Sequence, residues 1–139
     1  MGVMELLAAS GVSVPPADRA TLRRFRRVVA DLGADLYIAV IDEKIVGIVH
    51  ATYARQLTTT ARAHIEALLV APAVRRMGIG SSLQAFIIER ARRRGCDTLV
   101  CAPVATANEA ARFLAALGWK SGSSCYTKDV VGRVNRGSV

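Results

Sequence analysis

The hydrophobic pattern divides the chain into a helical opening, an alternating middle and a helical close. Over 16–32, Leu22, Phe25, Val28, Val29 and Leu32 recur at the spacing of one helix side, while Arg23, Arg24, Arg26 and Arg27 fall mainly on the other. This predicts an amphipathic helix with a solvated basic face. Two apolar runs follow at 36–41 and 45–53, joined by Asp42-Glu43-Lys44, a compact polar link suited to a hairpin and so to antiparallel pairing. A third strand over 62–71 completes a meander. Simple alternation places its Ile65, Ala67 and Leu69 on one face and His64, Glu66, Leu68 and Val70 on the other. Pro72 ends it.

The second half reads as helix, strand, helix, strand. Over 79–94, Ile79, Leu83, Phe86, Ile87 and Ala91 form a core stripe, and Gly95 closes the helix. Arg90, Arg92, Arg93 and Arg94 gather in its last turns, where the helix dipole favours cations. A short buried strand over 98–103 is expected to run parallel to the third strand, because a helical crossover joins them. Thr106-Ala-Asn-Glu109 fits a capping box opening a helix that runs to Leu117, with Gly118 as its stop and a final strand over 119–127. The fold class is α/β with a mixed sheet. One domain is expected over 1–139, with 1–15 and 129–139 irregular.

Composition bounds the function. With 139 residues and 52% hydrophobic positions the chain can bury a core without stapling. It has neither an apolar run of membrane-spanning length nor a signal-peptide start, so a cytoplasmic protein is expected. Cys96, Cys101 and Cys125 are odd in number and lack a Cys-x-x-Cys spacing, which argues against a disulfide framework and against a metal site. A net charge of +8 suits nucleic acid, an acidic membrane surface or a polyanionic cofactor. Only the last has a matching motif; aromatics are scarce and no nucleic-acid recognition motif is present.

That motif is the segment from Glu66 to Ser81. A strand runs through Leu68, Leu69 and Val70 into Arg75-Arg76-Met77-Gly78-Ile79-Gly80-Ser81 and directly into a helix, leaving several main-chain N–H groups unpaired at one point. Gly78 and Gly80 permit close approach and unusual dihedrals, and Arg75 and Arg76 supply charge. A pyrophosphate fits. The Lys-Ser/Thr of a P-loop is missing, and only two of the three glycines of a dinucleotide fold are present.

Arg75-x-x-Gly78-x-Gly80, after a Leu-x-Val strand and before an amphipathic helix, resembles motif A of the GNAT superfamily of acyl-CoA-dependent N-acyltransferases. Ala110-Ala-Arg-Phe-Leu-Ala-Ala-Leu-Gly-Trp119 is similar to a second segment of that superfamily, Ala-x-x-Phe-Tyr-x-x-x-Gly-Phe. The resemblance covers roughly 36 to 127. It implies direct transfer of an acetyl group from acetyl-CoA to a primary amine, through a tetrahedral oxyanion and without a covalent enzyme intermediate. It implies that residues 75–81 hold the pyrophosphate, that Leu68, Leu69 and Val70 track the pantetheine arm by their backbone, and that an N–H near Leu69 serves the oxyanion. Asn108 resembles an Asn that contacts the cofactor, one place off the common register; its alternative role is a polar first-turn residue.

Glu66 stands where related enzymes often carry the general base, with His64 as a weaker candidate proton relay. The alternative for Glu66 is a structural hydrogen bond or ion pair. Two departures from the family pattern matter. No strand pattern precedes the first helices, so the first strand is expected to be missing: either the start is truncated or Met1 to Ala9 takes another role. The Tyr that commonly protonates the departing thiolate is Leu114 here, leaving Tyr126, another hydroxyl, water or solvent to replace it. A thiolate with a pKa of about 8.5 leaves fairly well unaided. An acyl-CoA-binding regulatory or interaction module with little catalysis is therefore the alternative to an enzyme. The acceptor is expected to be a small-molecule or peptide amine, and the final strand offers an edge for a homodimer, with no specific residue to support it.

Overall fold

The computed structural model describes residues 2–9, 15–101, 107–120 and 128, with backbone alone for 107–111. Its elements are α1 (Val3–Ala9), α2 (Arg19–Ala30), β1 (Ala34–Ile41), β2 (Lys44–Ala54), β3 (Ala61–Val70), a 3-10 turn (Pro72–Val74), α3 (Ile79–Arg93), β4 (Cys96–Cys101) and α4 (Ala107–Ala116). The four strands form one sheet in the order β1-β2-β3-β4. The first three make the antiparallel meander, and β4 runs parallel to β3 through the α3 crossover. The fold is the expected mixed α/β. Of the expected final strand over 119–127, residues 119 and 120 are described and are not strand, and 121–127 lie outside the described residues.

The β1–β2 turn is tight because both its central residues are left-handed. Asp42 has φ 48° and Glu43 φ 63°, the paired positive dihedrals that match the twist of a two-residue hairpin. Glu tolerates this region poorly. Glu43→Gly is therefore expected to raise stability by about 1 kcal/mol, read as a later urea midpoint at unchanged slope.

Helices cover the sheet unevenly. On one face α3 seats Leu83 and Ile87 against Val49, Ala51, Ile65 and Val70. A Cβ on Gly47 would lie 2.9 Å from Leu83 Cδ1 and 3.1 Å from Ile79 Cγ2, so the absent side chain lets the start of α3 sit close to β2. On the opposite face α1 buries Leu6 completely with Val46, Ile48 and Ala71. Residues 3–9 are thus a helix packed on the sheet.

Three expectations need correction. The apolar row of α2 is not a core face: Leu22 is 51%, Phe25 41% and Val29 58% exposed, and the helix has no buried residue. Phe86 stands 53% exposed at the flank of α3, its ring 4.5 Å from that of Tyr37. The third correction concerns β3. Its register against β2 passes from Ile65↔Ala51 to Ala67↔His50 and skips Glu66, a β-bulge. Each extra residue flips the side-chain phase. Ile65 consequently shares the α3-side core with Leu68 and Val70, while Leu69 packs on the α1 side.

Candidate functional site

The turn after β3 forms because Pro72 cannot continue the strand and instead starts a single 3-10 turn, closed by Arg75 N–H donating to the Pro72 carbonyl at 3.4 Å. Arg76 at φ 67° and Gly78 at φ 81° then reverse the chain twice within three residues. Gly78 is the N-cap of α3 and supplies no side-chain cap; the first intrahelical bond runs from Ser82 N–H to the Gly78 carbonyl at 3.0 Å. The amides of Ile79, Gly80 and Ser81 accordingly lack helical partners, and the first turn has no acidic side chain. Arg75, Arg76 and Met77 are exposed beside them. Arg75 Nε also makes a long 3.5 Å contact to the carbonyl of Val70. A helix N-terminus so arranged attracts an anion.

The two glycines work differently. No atom lies within 4 Å of where a Gly78 Cβ would stand, and only its left-handed φ requires glycine. A Cβ on Gly80 would instead meet the Phe113 ring at 3.0 and 3.2 Å. Gly80 lacks a side chain so that α4 can approach α3, and what it offers a ligand is its N–H.

Upstream of the turn, one edge of β3 is unpaired among the described residues. Its pairing with β4 ends at Ile65↔Cys101, and beyond that point residues 67–70 pair only with β2 among the described residues. Leu68, Leu69 and Val70 thus present backbone groups on the side away from β2.

Glu66 lies where the unpaired edge begins. Its carboxylate is exposed and accepts a hydrogen bond from Thr52 Oγ1 at 2.8 Å. Thr52 is the cross-strand partner of His64, so the register brings Thr52, His64 and Glu66 together at the bulge. Cys101 ends β4 alongside; burial, with the negative charge of Glu66 as a second cause, pushes its thiol up from the ordinary range. Residue spacing alone misses Thr52 and Cys101, because strand register brings both to Glu66. Asn108 belongs to α4, but its side chain is outside those described, as is Tyr126 altogether. Leu114 lies on α4, half-buried.

A second polar cluster ties the far end of α3 to the sheet. Asp35 is 7% exposed and accepts from Tyr53 Oη at 2.5 Å, from Arg90 Nε and Nη2 at 3.4 and 3.3 Å, and from Arg94 Nη2 at 3.4 Å. Arg94 Nε comes within 3.2 Å of Asp35 Oδ2, out of hydrogen-bond alignment, and its guanidinium lies 4.4 Å from the Tyr53 ring centre. Burial pushes the Asp35 carboxyl up, but Tyr53, Arg90 and the charge of Arg94 outweigh it and hold the group below its ordinary value. Burial and Asp35 together raise the Tyr53 phenol, which stays a donor. Two of the four arginines that the dipole alone seemed to explain are thus partners of a buried carboxylate.

A cavity of about 680 Å³ lies between the outer side of α3 and β4, lined by Gln84, Ile88, Asp97 and Trp119 among others. It shares no residue with the Glu66 segment or the turn. Among the described residues no helix is long and apolar enough to cross a membrane, and no group of three His, Cys, Asp or Glu is placed to hold a metal.

The comparisons with known proteins agree with this geometry. The chain covers 77% of a transcriptional regulator from Bacillus halodurans C-125, with 84% of its own length aligned, 31% identity and a TM-score of 0.71. An acetyltransferase from Trypanosoma brucei aligns over 91% of this chain and 89% of its own, at 22% identity and a TM-score of 0.72. An aminoglycoside 6'-N-acetyltransferase from Acinetobacter haemolyticus aligns over 92% of both chains, at 16% identity and a TM-score of 0.76. The last two are likenesses of fold. No curated protein matches the sequence. The profile of the acetyltransferase (GNAT) family matches residues 3–119, a span that includes the bulged strand, its unpaired edge and the anion-attracting turn. By that match the chain belongs to the GNAT acetyltransferase family.

Proposed function

We propose that this chain is an acetyl-CoA-dependent N-acetyltransferase acting on a primary amine. The observation that carries the reading is the continuity of a strand edge, 67–70, unpaired among the described residues, with an uncapped helix N-terminus whose amides and adjacent Arg75 and Arg76 suit a pyrophosphate. Residues 75–81 would hold the diphosphate, and the backbone of Leu68, Leu69 and Val70 would pair with an extended amide-bearing arm as a further strand does. When bound, the thioester supplies an electrophilic carbonyl and a thiolate leaving group. A fold neighbour, AAC(6')-Iy, is known in complex with a CoA-containing bisubstrate analogue.

The chain's own part in the reaction is positional and basic. Glu66, held by Thr52 and open to water, takes a proton from the incoming ammonium, directly or through a water. His64, beside it, is the candidate relay, and an N–H near Leu69 the donor to the developing oxyanion. With Leu114 at the family's Tyr position, Tyr126 or solvent protonates the thiolate. Two observations favour the second reading, a CoA-binding regulatory module: Leu114 itself, and the description of the 31% identical relative as a transcriptional regulator.

Titration calorimetry with CoA, followed by thiol release from acetyl-CoA over a panel of small amines and peptides, tests both. Binding with turnover is expected. Binding without turnover on any amine would favour the regulatory reading, and no CoA binding would sink both.

A further inference from the structure

We propose that Thr52 is a positioning residue for the proton transfer: its hydroxyl holds one oxygen of the Glu66 carboxylate and leaves the other open to take the proton. The inference rests on the reading of Glu66 as the base. Glu66 is the extra residue of the β3 bulge and has no cross-strand partner in the β2–β3 register. The ladder therefore does not fix its side chain, which is exposed and belongs to a type with much rotamer freedom to lose. A base must nonetheless meet its proton within hydrogen-bond reach. Thr52 Oγ1 supplies the missing restraint, donating to Glu66 Oε1 at 2.8 Å. Branching at Cβ makes the Thr52 rotamer stiff. Its main chain sits on an inner strand, paired to Ala34 on one side and to His64 on the other, so the carboxylate is tied to a rigid part of the sheet.

The chemistry of the donor suits this task. A hydroxyl carries a single proton, so Thr52 serves one carboxylate oxygen, and Oε2 has no hydrogen-bond partner among the described residues. Nor does any cation among them lie within ion-pair distance of Glu66. A neutral donor orients a carboxylate without cancelling the charge that draws a proton; an arginine or a lysine would do both. His64, directly across from Thr52, makes no hydrogen bond to either group among the described residues, so the aiming falls to the hydroxyl. With its main chain already paired on both sides, Thr52 does not need this side-chain bond to keep the register of β2.

Thr52→Val keeps the branched Cβ that suits a strand and removes only the donor. With acetyl-CoA and the fastest amine of the panel above, it is expected to lower kcat about tenfold, the rate equivalent of one hydrogen bond. The KM for acetyl-CoA should stay within about twofold of wild type, since the contact lies away from the turn. Thr52→Ser, which restores the donor, should recover most of the loss. In a Glu66→Gln background Thr52→Val should cost less than about twofold more, because no base is left to aim. A wild-type rate for Thr52→Val beside a slow Glu66→Gln would overturn the proposal and leave Glu66 as the base. Equal losses with Thr52→Val and Thr52→Ser would overturn it too, by assigning the effect to packing, as would an undiminished loss in the Glu66→Gln background. No turnover by the wild type, or a Glu66→Gln that is not slowed, would overturn it together with the reading it rests on.

Discussion

Asp35→Ala is expected to lower stability by about 3 kcal/mol, because removing one member of a buried ion pair strands its partners. Arg94 would keep a buried Nε with no carboxylate beside it, and Tyr53 would lose its acceptor. Urea denaturation of the two proteins reads the difference. Asp35→Asn separates charge from hydrogen bonding: it keeps an acceptor for Tyr53 and should lose less. The sign of the pH effect follows from the depressed carboxyl. The folded value lies below the ordinary 3.8, so this contribution is fully present above that pH and fades as pH falls through the folded value. The wild type should therefore lose stability below about pH 4 more steeply than Asp35→Asn does. Equal acid slopes would show that the cluster contributes shape and not charge.

Glu66→Gln is expected to slow acetyl transfer by roughly 10²–10⁴-fold, the usual share of a general base, while CoA affinity stays within twofold of about wild type. The separation follows from position. Glu66 lies at the head of the unpaired edge, whereas the anion-attracting amides belong to the start of α3. Single-turnover thiol release and calorimetry give the two quantities independently. The isosteric amide can still accept from Thr52, so the bulge should survive and a fall in rate can be read as lost basicity. Unchanged transfer would remove Glu66 from the reaction and leave it the structural partner of Thr52.

Much of the fold was legible because its signals are local. The hairpin at Asp42-Glu43, the break at Pro72, the left-handed Gly78 and the stop at Gly118 each follow from what one or two residues can do with their own dihedrals. The uncapped turn into α3 was legible for the same reason. Register was not. Between Ile65 and Val70 every position except Glu66 is apolar, so a period of two has no polar marks against which a one-residue slip can show. Thr52 escaped notice as the partner of Glu66 because register alone brings them together across 14 residues. The Asp35 cluster joins residues 55 and 59 apart, beyond any helical or strand period. Periodicity also reports which side of α2 is apolar without saying whether anything covers it, and in the protomer little does.

The bulge at Glu66 makes the identity of that residue and its mere presence separate matters. Any side chain there preserves the bulge, with Leu68 and Val70 beneath α3 and Leu69 beneath α1. Deleting the position would leave Ile65 and Ala67 consecutive against Ala51 and His50, so the last four residues of β3 would keep their sides of the sheet and only the bulge would be lost. An alignment of this chain with a relative whose third strand is regular must therefore place its one-residue gap at Glu66 before it compares the letters on either side.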